Sequence, residues 1–351
     1  LRLGFAGGGT DVSPYRDRYG GFVMNATIGL YAYAHITRRS DECVRFNACD
    51  VREFYEGAAE TRIAPEGESL LHKGVYNRIV RDFFENRPLP VEVTTAVEAP
   101  AGSGLGSSSA LVVALVSAYR QLLRLPLNEY DVAGLAFDIE RNDLHLAGGA
   151  QDQYSAAFGG FNFIEFYDQD RVVVNPLRVS PRIAYELESS LVLFYTGRAR
   201  QSAEIIKRQQ SNLREERPEA VEAMHVMKRE AVEIKEAILH SDIHRIAETL
   251  NNGWEAKKRT AAGVSTPEID ALIDDAVAHG AYAAKLSGAG GGGFLFLLVD
   301  PVRRPELIAR LASRPSDGRV LPCHFTQHGV EAWDVQSPPR AAPEGALAKS
   351  A

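Results

Sequence analysis

Residues 91–122 read as a strand, a glycine loop and a helix in immediate succession, and no other stretch constrains the fold so much. VEVTTAVEAP (91–100) is β-branched and extended. PAGSGLGSSSA (100–110) then places three glycines and four serines in eleven positions, with too few side chains to pack a core. Beyond it, Leu111, Val112, Leu115, Val116, Tyr119 and Leu122 recur with helical period. Glycines let backbone N–H groups close on an anion, and a helix N-terminus adds a dipole that favours negative charge. Gly102, Gly104 and Gly106 would expose such N–H groups, while Ser107, Ser108 and Ser109 stand where the helix starts. A serine hydroxyl at that point can also ligate Mg²⁺. The stretch reads as a phosphate cradle, with a flexible surface turn as the plain alternative.

The familiar nucleotide loops do not fit it. A Walker A loop needs GxxxxGK[ST], but Ser107 follows Gly106 and no lysine follows the loop until Lys207. The dinucleotide turn needs GxGxxG, whereas these glycines spell GxGxG without an acidic ribose partner at the usual distance. Protein-kinase HRD and DFG signatures are missing too. Two further glycine-dense stretches strengthen the phosphate reading. RLGFAGGGTD (2–11) sets Arg2 and Asp11 around a glycine turn, and KLSGAGGGG (285–293) lies near the other end. Three such loops in different thirds of one chain are not accidental turns.

At 351 residues the chain is long enough for two domains with buried cores. A formal net charge of −7 argues against nucleic acid or an anionic membrane as partner, while leaving room for a small anionic substrate held by local arginines. Cys43, Cys49 and Cys323 form no disulfide framework and no CxxC pair, which points to a reducing cytoplasm. No run of about 18 apolar residues suggests a membrane span. The chain opens LRLGFAGG without Met and without a signal-like stretch, which reads as a few residues missing from its start.

Coarse patterning supports an α+β chain in two lobes. FVMNATIGLYAYAHITR (22–38) reads as one or two strands, and residues 72–88 as a helix ending before Pro88. A helix is predicted from Asn128, as N-cap, to Arg141, with Val132, Leu135, Ala136 and Ile139 on one face. FNFIEF and RVVVNPL are short strands, and SLVLFYTG (190–197) is a buried one. From Arg200 to Lys258 the chain is mostly helical, broken at Pro218 and near Ser241, with Met224, Met227, Ile234 and Ile238 facing a core. Thr266-Pro267-Glu268 opens another helix that Gly280 stops, and two strands flank the last glycine loop. His324 and His328 sit in a strand-and-turn stretch with no third ligand, which argues against zinc. The domains are expected at 1–185 and 186–336, with a disordered tail at 337–351.

The three glycine stretches together resemble the three motifs of the GHMP small-molecule kinase superfamily, whose members include galactokinase and the homoserine, mevalonate and phosphomevalonate kinases. Order, spacing and position match over nearly the whole chain, to about residue 335. The resemblance implies a ribosomal-protein-S5-like N-terminal lobe, a ferredoxin-like C-terminal lobe and an active site between them. Galactokinases carry Glu-His where Gly8 and Gly9 stand here; RLGFAGGGTDVSPYRDRYGG is more similar to the bacterial D-glycero-D-manno-heptose 7-phosphate kinases, with L-fucose kinase domains as neighbours. Gly8 and Gly9 remove two side chains that would touch a sugar, which makes room for a longer one.

By this resemblance the chain is an ATP-dependent sugar 1-kinase using Mg²⁺. Its expected product is heptose 1,7-bisphosphate, toward a nucleotide-activated heptose for a surface polysaccharide. Gly102, Ser103, Gly104, Leu105, Gly106, Ser107 and Ser108 would hold the phosphates, with Ser287, Gly288, Ala289 and Gly290 closing from the other lobe. Ser108 and Glu140 would bind the metal; without the resemblance Glu140 reads as a solvated helix carboxylate beside Arg141. Asp152, in the loop LAGGAQDQYSAAFGG, would be the catalytic base and Arg2 its partner. The interval from Glu140 to Asp152 is one residue longer than mevalonate kinases lead one to expect. Thr10 and Asp11 would bind sugar hydroxyls. Arg16, Arg18, Arg198 and Arg200 are candidates for a substrate phosphate. The competing functions are a kinase for an unphosphorylated sugar such as fucose and a non-catalytic sugar and ATP sensor. A sensor would have lost the base or metal ligand, whereas Arg2, Ser108, Glu140 and Asp152 are all present. A homodimer is compatible with the sequence.

Overall fold

A computed structural model describes residues 1–197, 202–314 and 318–335. Three four-stranded sheets carry it. The first is antiparallel throughout, in the order β1 (Arg2–Ala6), β2 (Gly21–Thr27), β7 (Phe161–Phe166), β8 (Val172–Pro176). The second runs β3 (Ala32–Arg38), β6 (Val91–Val97), β4 (Cys43–Ala48), β5 (Glu53–Ala58), with β4 and β6 parallel. The third, from the C-terminal part, runs β10 (Ala281–Leu286), β11 (Phe294–Val299), β9 (Leu191–Tyr195), β12 (Arg319–Leu321). The 22–38 stretch therefore makes two strands in two different sheets. Strands β4 and β5 were not anticipated: they mix Arg45, Glu53 and Glu56 into their alternation and read as polar loop.

The helices are α1 (Tyr15–Tyr19), α2 (Leu70–Phe83), α3 (Ser107–Leu123), α4 (Glu129–Asp138), α5 (Gln151–Phe158), α6 (Pro181–Ser190), α7 (Ser202–Arg214), α8 (Pro218–Leu239), α9 (Ile243–Lys258), α10 (Pro267–Ala278) and α11 (Arg304–Ala312). Local chemistry explains most boundaries. Asn128 caps α4 in a reciprocal capping box with Asp131, an arrangement that stabilises a helix start by about 1 kcal/mol. Pro218 and Pro267 occupy first-turn positions, where a missing N–H costs nothing. The helix predicted to reach Arg141 instead leaves α geometry at Ile139 and makes a π turn over Ile139–Asp143.

Period-two alternation lets one strand serve two cores. Strand β11 is buried at all six positions: Phe294, Phe296 and Leu298 pack with Leu3, Phe5 and Met24 of the first sheet and Ile234 and Ile238 of α8. Its other face, Leu295, Leu297 and Val299, meets Ile269 and Leu272 of α10 and Leu307 of α11. A third core joins the second sheet to α2, α3 and α4 through Phe46, Val93, Tyr76, Val112 and Val132. The first core is thus shared by the N-terminal and C-terminal sheets, which fixes their loops against each other. The boundary expected at 185 falls inside α6, and the tail expected at 337–351 lies outside the described residues. Among the described residues no helix is long and apolar enough to cross a membrane.

Candidate active site

The glycine loop 102–106 connects β6 to α3, and the loop 287–293 connects β10 to β11. The two stack backbone to backbone. Phe294 donates its N–H to the Ser103 carbonyl at 3.0 Å, and the Ser287 hydroxyl donates to the Gly104 carbonyl at 2.8 Å. Gly104 has φ +83°, and a Cβ on it would lie 2.4 Å from the Ser287 carbonyl oxygen. Only glycine permits that approach. Ser107 and Ser109 are buried in the first turn of α3, while Ser108 is exposed between them.

Arg2 opens β1 and is almost fully buried. Its Nε and Nη2 both lie 2.7 Å from Oδ1 of Asp152. Its Nη1 donates to the Gly104 carbonyl at 2.7 Å and reaches the Ser287 hydroxyl at 3.4 Å. One guanidinium therefore joins the first strand, both glycine loops and the candidate base. Asp152 lies not in a loop, as its small-residue surroundings suggested, but in the first turn of α5, where the helix dipole favours a carboxylate. Its side chain is about a quarter exposed, at 23%.

Asp11 holds the start of the same helix. Its carboxylate accepts from the Gly9 N–H (3.0 Å), the Gln151 N–H (3.0 Å) and Gln151 Nε2 (3.2 Å), and it is buried. A Cβ on Gly149 would come within 1.9 Å of Asp11 Oδ2, so a glycine is required there. Thr10 is also buried, its hydroxyl donating to the Gly7 or Phe22 carbonyl and accepting from the Phe22 N–H. The structure spends Thr10 on the turn itself and gives Asp11 three donors of the protein. Gly8 lies against the Gln151 side chain, and Gly9 faces Met224 and Met227 of α8.

Glu140 departs from the solvated reading. It sits in the π turn and is 2% exposed. Gln153 Nε2 donates to its Oε2, Ser109 adds a hydrogen bond, and Arg141 stands 3.7 Å from Oε1. Burial raises its pKa above the ordinary carboxylate range. A π turn takes up one residue more than α geometry would. The Gln153 Oε1 atom beside it is buried without a partner. A carboxylate and an orphaned amide oxygen are hard donors of the kind Mg²⁺ takes, and the serine that contacts Glu140 is the buried Ser109, while Ser108 is exposed. Among the described residues no three His, Cys, Asp or Glu side chains gather as a metal cage.

The arginines considered for a substrate phosphate diverge. Arg16 is buried, paired with Asp170 and Asp17 and stacked on Phe137. Arg18 pairs with Glu216 at 2.7 Å on the surface. Arg198 and Arg200 lie outside the described residues. Two groups escaped the sequence reading altogether. Lys257 at the end of α9 donates its ammonium to the Gly288 carbonyl, and Lys285 of β10 donates to the Gly4 and Phe5 carbonyls at 2.8 and 2.9 Å. Lys285 merely precedes the glycines of its motif in sequence, and nothing in the helical pattern sets Lys257 apart from solvated neighbours.

Comparison with known proteins places this arrangement. The N-terminal domain of GHMP kinases matches residues 71–160 and their C-terminal domain residues 234–317. The chain is 43% identical over 335 residues to the D-glycero-alpha-D-manno-heptose 7-phosphate kinase of Campylobacter jejuni, covering 95% of this chain and 97% of that protein. Its structure superposes on a D-glycero-D-manno-heptose 1-phosphate kinase from Bacteroides thetaiotaomicron with a TM-score of 0.81 and 42% identity, over 96% and 98% of the two chains. A bifunctional fucokinase/GDP-fucose pyrophosphorylase of Arabidopsis thaliana is more distant, at 24% identity over 89% of this chain and 30% of its own length. With both domains matched in order and such a relative aligned nearly end to end, the chain belongs to the GHMP kinases.

Proposed function

We propose that this GHMP kinase transfers the γ-phosphoryl group of ATP to the anomeric hydroxyl of D-glycero-D-manno-heptose 7-phosphate, giving the 1,7-bisphosphate. The observation that carries the reading is the Arg2–Asp152 pair, set where both glycine loops meet. The 43% identity to a heptose 7-phosphate kinase supports the choice of sugar. The product would feed a nucleotide-activated heptose, in the cytoplasm where ATP is made and free thiols persist.

Phosphoryl transfer asks little covalent chemistry of a protein; it asks for position and charge. The N–H groups of residues 102–108 would cradle the phosphates from one side and those of 287–290 from the other. Asp152 would accept the proton of the attacking hydroxyl, with Oδ1 held by Arg2 and Oδ2 left to receive it. Arg2 then faces the oxygen on which charge develops. Asp11 works through Gln151: by anchoring the first residue of α5 it fixes where Asp152 stands. Ser108 and Glu140 would hold Mg²⁺, which when bound spreads charge over the transferred group. Gly8 and Gly9 would leave space for the sugar.

Measuring ADP release across a panel of sugars and sugar phosphates tests this directly. Heptose 7-phosphate should be turned over with the highest kcat/KM. A preference for L-fucose or another unphosphorylated sugar would overturn the choice of substrate, and no ADP with any sugar would favour the sensor.

A further inference from the structure

Lys257 is a buried cation with no anion beside it. Only 6% of its surface is exposed, and among the described residues no carboxylate lies within 4 Å of its ammonium. Among the described residues its one hydrogen-bond acceptor is the backbone carbonyl of Gly288, in the third glycine loop. An ammonium taken out of water costs several kcal/mol unless it is paired, so such a placement needs compensation from elsewhere. The charges that act on it are Arg2 and Lys285, which repel it, and Asp11 and Asp152, which attract it. Asp152 is already occupied by Arg2, and Asp11 by backbone and amide donors. The centre thus sets Arg2 and Lys257 against two engaged carboxylates, while burial pushes the Lys285 ammonium toward its neutral form. It is complementary to an incoming anion.

Peptide geometry says where that anion would sit. A trans peptide places its C=O and the following N–H on opposite edges of one plane. Drawing the Gly288 carbonyl inward to Lys257 turns the Ala289 N–H outward, on the partly exposed side of the loop. On the other loop Arg2 holds the Gly104 carbonyl. The two glycines touch: a Cβ on Gly288 would lie 2.6 Å from the Gly104 Cα. Lys257 itself is placed by a short relay, in which Gln209 of α7 donates to the Thr260 hydroxyl and Thr260 donates to the Lys257 carbonyl at 2.7 Å.

We propose that Lys257 is a positioning residue of the nucleotide site, which by holding the Gly288 carbonyl aims the Ala289 N–H at the phosphates of ATP and supplies unneutralised positive charge behind them. The proposal rests on the kinase reading above. Burial and Arg2 together pull the Lys257 pKa down to about 8, so the charge is present at neutral pH and lost as pH rises through 8.

The test is calorimetric binding of AMPPNP to the full protein without sugar, beside steady-state kinetics. Lys257→Met should weaken AMPPNP binding and raise KM for ATP about tenfold, the scale of one charge-assisted contact, while KM for the sugar phosphate stays within about twofold. Lys257→Arg should restore most of the affinity and flatten its dependence on pH above 8, since a guanidinium keeps its proton. Wild-type affinity should fall between pH 7 and 9. This arm does not depend on any variant folding. An affinity flat over that range, or equal affinities in wild type and Lys257→Met, would overturn the proposal alone. A wild type that binds no AMPPNP would overturn the kinase reading and this proposal with it.

Discussion

Arg2 and Asp152 stand 150 residues apart in the chain, yet two nitrogens of one lie 2.7 Å from a single oxygen of the other. Because both arginine nitrogens converge on Oδ1, the second carboxylate oxygen stays available, and the carboxylate cannot rotate without breaking the fork. Asp152→Asn keeps the shape and removes the basic oxygen. It should lower kcat by roughly 10²-fold or more, the scale of general-base catalysis, and leave AMPPNP affinity near wild type. Stopped-turnover assays with calorimetry check both halves. Turnover near wild type would remove Asp152 as the base.

Arg2 has a second duty, because its Nη1 also holds the Gly104 carbonyl. A lysine has one ammonium and cannot reproduce a planar fork that serves three partners. Arg2→Lys should therefore lower kcat and raise KM for ATP together, each by roughly tenfold. A fall in kcat alone would mean that the Gly104 contact does not shape the nucleotide site.

How much of this was legible beforehand differs by residue, for physical reasons. The three-helix run broken at Pro218 and near Ser241 came from period and punctuation, which are local, and the structure has it as α7, α8 and α9. The strands β4 and β5 escaped because their charged residues satisfy one another across the sheet, Arg45 with Glu56 and Glu92, an arrangement invisible until the strands are paired. The roles of Arg2 and Asp152 came from motif resemblance, since no spacing rule links positions so far apart. Burial of Glu140 depends on a π turn, and burial of Lys257 on a loop 31 residues away in sequence. Neither has a signature in its own neighbourhood.

Glu140 yields a prediction that separates stability from function. Its pKa is raised by burial, so the folded protein holds that proton more tightly than the unfolded chain. Below the ordinary glutamate pKa both states are protonated and nothing is lost. From the ordinary glutamate value up to the raised one, rising pH ionises the unfolded chain first, so stability falls across that window. Glu140→Gln removes the charge with little change of volume. Its thermal midpoint at pH 7.5 without Mg²⁺ should equal or exceed wild type, while the Mg²⁺ concentration for half-maximal activity rises. A midpoint several degrees lower would show that the carboxylate is held for structure. An unchanged metal titration, in this variant and in Ser108→Ala, would remove both from the metal site.

The remote phosphate of the proposed substrate gives the sharpest discrimination among the arginines. A phosphate dianion in a chain of net charge −7 needs local guanidinium forks. Arg16 is already held by Asp17 and Asp170 and stacked on Phe137, so recruiting it would break contacts of the folded protein. Arg18 is tied to Glu216 on the surface, a pair worth little, and Arg18 is itself exposed. The remaining candidates, Arg198 and Arg200, precede α7, whose Gln210 donates to the Ser13 carbonyl and so packs that helix onto the loop beyond Asp11. Arg16→Ala should therefore lower the thermal midpoint with similar effects on phosphorylated and dephosphorylated heptose. Arg198→Ala or Arg200→Ala should instead raise KM for heptose 7-phosphate roughly ten- to a hundredfold, the loss of one charge-assisted contact of about 1.5–3 kcal/mol. The same variants should barely alter KM for heptose without the phosphate, because only the phosphate contact is gone. Kinetics on both sugars for the four single variants decide the matter. Equal KM values for the two sugars in the wild type would mean that no arginine reads the phosphate, and the enzyme would then be a kinase of the unphosphorylated sugar.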